Sequence, residues 1–353
     1  MELKLADQPN PAHPVTEQRP VYDKYNRPLQ DLRISVIDRC NFRCTYCMPD
    51  GDRERYSFFS EQEWLTFDEI ERLTRVFVGL GVTKLRLTGG EPLLRPNLTE
   101  LIRKLRGIPG VSDLALTTNG SLLSQHAASL RATGLDRITV SLNTLDGEIF
   151  RRMSGERGDV EKVLAGIDRA AAEGFTNIKV NVVLQKNIND RHILDLVRYF
   201  KDRRITLRFI EYMDVGTCNH WSRSEVVPSI EVVELISRHF PIKPVKPNYF
   251  GEVAARYRFL DGAGEIGFIT SITQPFCRSC TRLRLSADGK LYTCLFSGKG
   301  TDLKRFLNKN PTDEQLSASL AAIWESRSDR YSEMRSESGA KNSPKVEMFR
   351  VGG

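Results

Sequence analysis

The sequence predicts an α/β fold: an incomplete (βα)6 TIM-like barrel, followed by a β-rich C-terminal segment that closes it. Three observations carry this expectation. From residue 31 to about 210, short β-branched or apolar runs alternate with amphipathic stretches at helical spacing. Strand–helix repetition of that kind implies parallel strands joined by right-handed crossovers. Beyond about residue 216 the rhythm breaks, and residues 250–300 alternate as hairpins do.

The strands are expected at Leu32–Ile37, Lys84–Thr88, Leu114–Thr118, Ile138–Leu142, Ile178–Leu184 and Thr206–Ile210. The first helix opens on a capping box, Thr66 with Glu69. It continues through Ile70, Leu73, Phe77 and Leu80 and stops at Gly81. Ala127–Thr133, Val160–Glu173 and Ile193–Lys201 are the next helices. A further one lies near Ile230–Phe240, before a link holding Pro241, Pro244 and Pro247. Thr312 with Gln315 forms a second capping box, with Leu316, Leu320 and Ile323 on one face. The expected division is a polar leader (1–20), the barrel (21–216), a closing region (217–310) and a C-terminal helix and tail (311–353) that ends Gly352-Gly353. In such a barrel the site sits at the C-terminal ends of the strands.

Composition narrows the function. The chain is 40% hydrophobic and 27% charged, as ordinary globular proteins are. It holds no apolar run of the ~18 residues a transmembrane helix needs. The leader lacks the apolar core of a secretion signal, so a cytoplasmic, reducing compartment is expected. A net charge of +7 admits nucleic acid, acidic lipid or a polyanionic small molecule. No long Lys/Arg run exists and aromatics are 8%, whereas nucleic-acid grooves interleave basic and aromatic residues. A phosphate-rich small substrate fits at least as well.

Six of the seven cysteines form two tight triplets, Cys40/Cys44/Cys47 and Cys277/Cys280/Cys294. Paired thiol groups in a reducing compartment point to metal rather than disulfides. The first triplet, C-x-x-x-C-x-x-C, follows the first strand, where a loop can wrap an iron–sulfur cube. Such a cube takes four thiolates, so three leave one iron open. A structural zinc site wants four closed ligands, and the nearest histidines are His13 and His126. The second triplet, C-x-x-C-x13-C, admits the same reading. A zinc ribbon with Cys218 as fourth ligand stays open there.

Side chains alternate across a strand. Lys84, Arg86 and Thr88 therefore share one face of the second strand, and Leu85 and Leu87 share the other. Lys179 pairs with Asn181 on the fifth strand, and Arg208 with Ile210 on the sixth. Apolar faces meet helices, so the cations point inward. Several cations in one cavity imply a polyanion such as a triphosphate.

The run Cys40-Asn41-Phe42-Arg43-Cys44-Thr45-Tyr46-Cys47 resembles the signature of the radical S-adenosylmethionine (SAM) superfamily, and Thr88-Gly89-Gly90-Glu91-Pro92 resembles its second element. The stretch from Cys280-Thr281-Arg282-Leu283-Arg284 to Gly289 resembles the C-terminal motif of the GTP 3′,8-cyclase family of molybdenum cofactor biosynthesis. The likeness spans about residues 22–353. It includes Leu32–Val36, Phe209–Met213 and the terminal glycine pair. It implies a 4Fe–4S cluster on each triplet, with SAM on the first and guanine at the open iron of the second. It implies SAM contacts at Tyr46, Gly90, Ser141 and Met213, with Glu91 holding the SAM ammonium. GTP contacts are implied at Arg33, Arg86, Thr117, Lys179, Arg282, Leu283 and Arg284, with Lys84 and Arg208 as further candidates. In that family an adenosyl radical abstracts hydrogen from C3′ of GTP, and the C3′ radical attacks C8. Arg33 could assist the final reduction or protonation, and the Gly-Gly tail could enter the site. The implied partners are GTP, an electron donor of flavodoxin or ferredoxin type, and a downstream cyclic pyranopterin monophosphate synthase. The expected state is monomer or homodimer, with neither nucleic acid nor membrane.

Two other readings compete. A peptide-modifying radical SAM enzyme would need no triphosphate site. A zinc-binding, RNA-contacting protein would account for the charge and the cysteines. Two apparent motifs are set aside. Gly262–Gly267 matches G-x-G-x-x-G but precedes a strand, so it is expected as a hairpin turn. Ser297–Thr301 lacks the Ser or Thr a P-loop lysine requires. With five histidines and no Ser-His-Asp grouping, hydrolase triads have no support.

Overall fold

The computed structural model describes residues 20–49, 56–335 and 345–352. Of the leader only Pro20 is among them, and Gly353 lies outside them.

Six parallel strands form the centre: β1 (Asp31–Ser35), β2 (Lys84–Thr88), β3 (Asp113–Thr118), β4 (Arg137–Ser141), β5 (Lys179–Leu184) and β6 (Thr206–Glu211). Between them run α1 (Phe67–Gly79), α2 (Leu98–Arg106), α3 (Leu123–Ala132), α4 (Gly147–Met153), α5 (Val160–Ala172) and α6 (Ile193–Lys201). Helix α1 begins at its capping box. Thr66 Oγ1 accepts from Glu69 N–H at 3.1 Å, and Glu69 Oε2 accepts from Thr66 N–H at 2.7 Å. Its buried stripe, Ile70, Leu73 and Phe77, packs with the outward Leu85 and Leu87 of β2 in one continuous core. Each such side chain contributes ~1.5–3 kcal/mol by leaving water. Helices α2 and α4 were not expected. The turn from Pro92 to Asn97, with Asn97 left-handed at φ 58, hides the start of α2.

Helix α7 (Ser229–His239) precedes β7 (Ile242–Val245), β8 (Ala255–Phe259) and β9 (Glu265–Ile269). These join antiparallel to one another, so the hairpin turn expected at Gly262–Gly267 is present, with its second half, Glu265–Gly267, already in β9. Strands β10 (Arg282–Leu285), β11 (Lys290–Tyr292) and β12 (Thr301–Asp302) form the other antiparallel run. Then follow α8 (Leu303–Leu307), α9 (Asp313–Glu325), α10 (Tyr331–Met334) and α11 (Met348–Val351).

The C-terminal strands do more than lie over the barrel. Strand β9 pairs parallel to β6, and β10 pairs parallel to β1. The sheet runs β12-β11-β10-β1-β2-β3-β4-β5-β6-β9-β8-β7, so the partial barrel has eight parallel strands rather than six. Strand–helix rhythm missed two of them because no crossover helix announces β9 or β10. Among the described residues no pairing joins the two ends of this sheet, and no helix is long and apolar enough to cross a membrane.

Candidate active site

One large cavity fills the barrel, and all six triplet cysteines line it. The first loop leaves β1 and curls over the ends of β2 and β3. A Cβ on Gly90 would overlap the carbonyl of Arg39 and crowd the amide of Cys40, so only glycine lets β2 end against this loop. Gly90 itself lines the cavity. Glu91 does not. Its buried carboxylate accepts from Thr118 Oγ1 (2.7 Å), Asn119 N–H (2.7 Å) and Leu93 N–H (3.1 Å). It therefore ties β2 to β3. Burial raises it to about 7 against those bonds. The Asn119 it holds donates to Asn41 Oδ1 at 2.8 Å and reaches Cys40 Sγ at 3.7 Å.

The cysteines of this loop are half-buried. Burial, then the neighbouring Cys44 and Glu91, pushes Cys40 up to about 12, and burial lifts Cys44 to about 11. Their thiolates need a cationic metal core to form, so binding releases protons. Tyr46 stands beside them, its hydroxyl accepting from Asn143 Nδ2 at 3.0 Å. Ser141 and Met213 face the same space.

Opposite lies the second loop, and here guanidinium groups dominate. Register places Arg284 beside Arg33, and Arg33 beside Arg86, across β10, β1 and β2. One row below, Arg282, Asp31 and Lys84 align the same way. Burial, then Arg284, Arg282 and Arg86, holds Arg33 well below its usual value. Burial, then Arg282, brings Arg284 to about 9. Arg86 falls to about 10 through burial, Arg137 and Arg208, and donates to Thr117 Oγ1 (2.9 Å) and Thr139 Oγ1 (3.1 Å). Like charges this close repel, and an anion between them removes that cost.

The structure thus brings Arg33, Tyr46, Arg86, Gly90, Thr117, Ser141, Met213, Arg282 and Arg284 onto one cavity with both triplets, together with Lys84 and Arg208. Two expected residues stand elsewhere. Leu283 pairs with Leu32 on the outer face and belongs to the hydrophobic core, because its neighbours Arg282 and Arg284 take the inner face. Lys179 does not line the cavity wall, although burial and the charges of Arg208, Arg137 and Arg86 hold its ammonium at about 7.

The terminal tail enters the site. Gly352 is buried, its carbonyl accepts from Arg284 Nη1, and a Cβ there would overlap Thr88. Its φ of 66 also favours glycine.

Sequence reasoning missed several lining residues. Arg137 begins β4 in ion pair with Asp113, and alternation from Thr139 and Ser141 would have placed it inward. Tyr249 lies under Lys84 Nζ, 2.9 Å from the ring centre. Asn119, Asn143, Arg27 and Arg327 carried no local signal. Among the described residues no three His, Cys, Asp or Glu side chains are drawn together closely enough to hold one metal ion.

Known proteins resemble this chain in sequence and in fold. The radical SAM superfamily profile matches residues 34–200, and the profile named Molybdenum Cofactor Synthesis C matches residues 205–333. The chain is 50% identical over 341 residues to the GTP 3′,8-cyclase of Xanthomonas campestris pv. campestris (strain B100), covering 96% of this chain and 99% of that one. It is 49% identical over 339 residues to the GTP 3′,8-cyclase of Staphylococcus haemolyticus, covering 94% and 99%. In fold it resembles Streptococcus suis SuiB bound to S-adenosylmethionine, with a TM-score of 0.59 at 16% identity over 89% of this chain and 69% of that one. It also resembles anSMEcpe with bound AdoMet and Cp18Cys peptide, with a TM-score of 0.54 at 14% identity over 91% and 94%.

Proposed function

The chain belongs to the GTP 3′,8-cyclase family, and from that premise we propose how its own residues divide the work of joining C3′ of GTP to C8, the first step of molybdenum cofactor biosynthesis. The observation that carries the reading is the row Arg284–Arg33–Arg86, which faces the same cavity as both cysteine triplets. A peptide substrate would leave these cations without an anion.

Cys40, Cys44 and Cys47 would hold a 4Fe–4S cluster that, with SAM, supplies a hydrogen-abstracting carbon radical. Cys277, Cys280 and Cys294 would hold a second cluster with one iron open to guanine. Gly90, Tyr46, Ser141 and Met213 surround SAM at the strand ends. Arg86, Lys84 and Arg208 draw the triphosphate toward the other strand ends, with Lys179 behind them and Thr117 steadying Arg86. Arg33, central in the row, is the candidate to deliver the final proton. Residues 21–216 present SAM, 217–310 present the second cluster, and 311–353 supply α9 and the tail. Holding the ribose near contact with the radical source, away from water, is the protein's main contribution. The electron comes from an external donor of flavodoxin or ferredoxin type. The product passes to a cyclic pyranopterin monophosphate synthase.

The test is anaerobic incubation of reconstituted, reduced protein with SAM and either GTP or ATP, followed by mass spectrometry. Formation of 5′-deoxyadenosine together with an isomer of GTP, and neither product with ATP, is expected. Deoxyadenosine formed equally with both nucleotides and without the isomer would overturn the substrate.

A further inference from the structure

Three arginines hydrogen-bond the second loop itself. Arg327, just after α9, donates through Nη2 to Cys280 Sγ at 3.3 Å and through Nη1 to the Cys280 carbonyl at 2.7 Å. Arg282 Nη2 reaches the same sulfur, also at 3.3 Å. Arg27 donates through Nη1 to the Cys277 carbonyl at 2.7 Å. Asp23 holds both outer arginines. Its Oδ2 accepts from Arg27 Nε at 2.6 Å and from Arg327 Nη1 at 3.3 Å, and all three side chains are at most 1% exposed. Asp329 adds one more carboxylate, 3.3 Å from Arg327 Nε. Among the described residues, Arg27 Nη2 and Arg282 Nε are buried without a hydrogen-bond partner. A buried guanidinium N–H left unpaired is costly, so these two await an acceptor. Arg27, Arg282 and Arg327 line the cavity beside the second triplet, where sulfides of a cluster would be that acceptor.

At the first loop Arg43 donates through Nη1 to the Cys40 carbonyl at 2.7 Å, while the donors seen at sulfur are neutral. The hydrogen bonds seen at Cys40 Sγ come from the neutral Phe42 N–H (3.4 Å) and Asn119 Nδ2 (3.7 Å). Hydrogen bonds and positive charge at cluster sulfurs stabilise the reduced state and raise its potential.

We propose that Arg27 and Arg327, fixed by Asp23, are positioning residues that form with Arg282 a hydrogen-bonding shell around the second cluster and make it the more easily reduced of the two. The inference rests on the second triplet holding a cluster, as read above. Substrate meets the open iron from the cavity, while this shell grips the cluster at Cys280.

The experiment uses full-length protein with Cys40, Cys44 and Cys47 changed to alanine, so that only the second cluster reports. Iron content is measured first, and then the potential by anaerobic redox titration followed by electron paramagnetic resonance. Absence of iron would overturn the cluster reading itself, and the proposal with it. With iron bound, R327Q is expected to shift the midpoint to more negative potential, R27Q to do so less, and R327K to recover part of the shift. R327Q with full iron and an unchanged midpoint would overturn the shell alone. An independent arm needs no arginine variant. In the unsubstituted protein the second cluster is expected to titrate at a higher potential than the first, and the opposite order would contradict the proposal.

Discussion

The two cysteine loops face one cavity, yet they are built for different charges. The first is wrapped by glycine, amides and apolar rings, and burial pushes its thiols up. The second is set among arginines. Burial alone would raise Cys280, but Arg282 and Arg327 bring it down to about 6, while burial still lifts Cys294 to about 12. The difference teaches that a triplet of cysteines does not by itself fix an environment. On the proposed reading, the first loop would seat SAM, whereas the second would share its cations with the triphosphate substrate.

The largest expected effect lies at the first loop. Cys44→Ser should abolish formation of 5′-deoxyadenosine and remove about half of the bound iron, given three-thiolate ligation at each site. Deoxyadenosine production by that variant would break the contrast. Next come the arginines. Arg86→Ala and Arg284→Ala each remove charged hydrogen bonds worth ~1.5–3 kcal/mol, so KM for GTP should rise ~10- to 100-fold. KM for SAM should move little, which is the check that the loops divide the ligands.

Gly352→Ala comes third. Its Cβ would overlap Thr88, and displacing the tail from Arg284 should cost ~1–3 kcal/mol of packing and lower kcat, as steady-state kinetics and thermal melting would report.

The smallest effect is a pH dependence. Burial, then Arg208, Arg137 and Arg86, holds Lys179 at about 7, so its charge is lost as pH rises through that value. GTP affinity should therefore fall above neutral pH by up to ~10-fold per unit. Lys179→Arg, which stays charged, should flatten the profile between pH ~7 and ~9.

Much of this was legible in local patterns. The six central strands, the α1 capping box and both cysteine triplets are set by nearby residues, and alternation alone turned Lys84, Arg86 and Arg208 inward. The same alternation places Leu283 outward between Arg282 and Arg284, against the implied contact. What stayed hidden depends on distant pairing. Strand β10 meets β1 across some 250 residues of chain, as the Thr281–Asp31 contact shows (a separation of 250). Arg27 and Arg327 meet at Asp23 from opposite ends of the sequence. The family resemblance offers Glu91 to the SAM ammonium. Only the fold reveals that Thr118 and Asn119 hold its carboxylate in place.

The most direct test of the divided site is the protein with Cys277, Cys280 and Cys294 changed to serine, assayed for 5′-deoxyadenosine and for the GTP isomer together. The account predicts that slow SAM cleavage survives while the isomer disappears. Undiminished isomer from that variant would contradict it, because GTP would then need nothing the second loop provides.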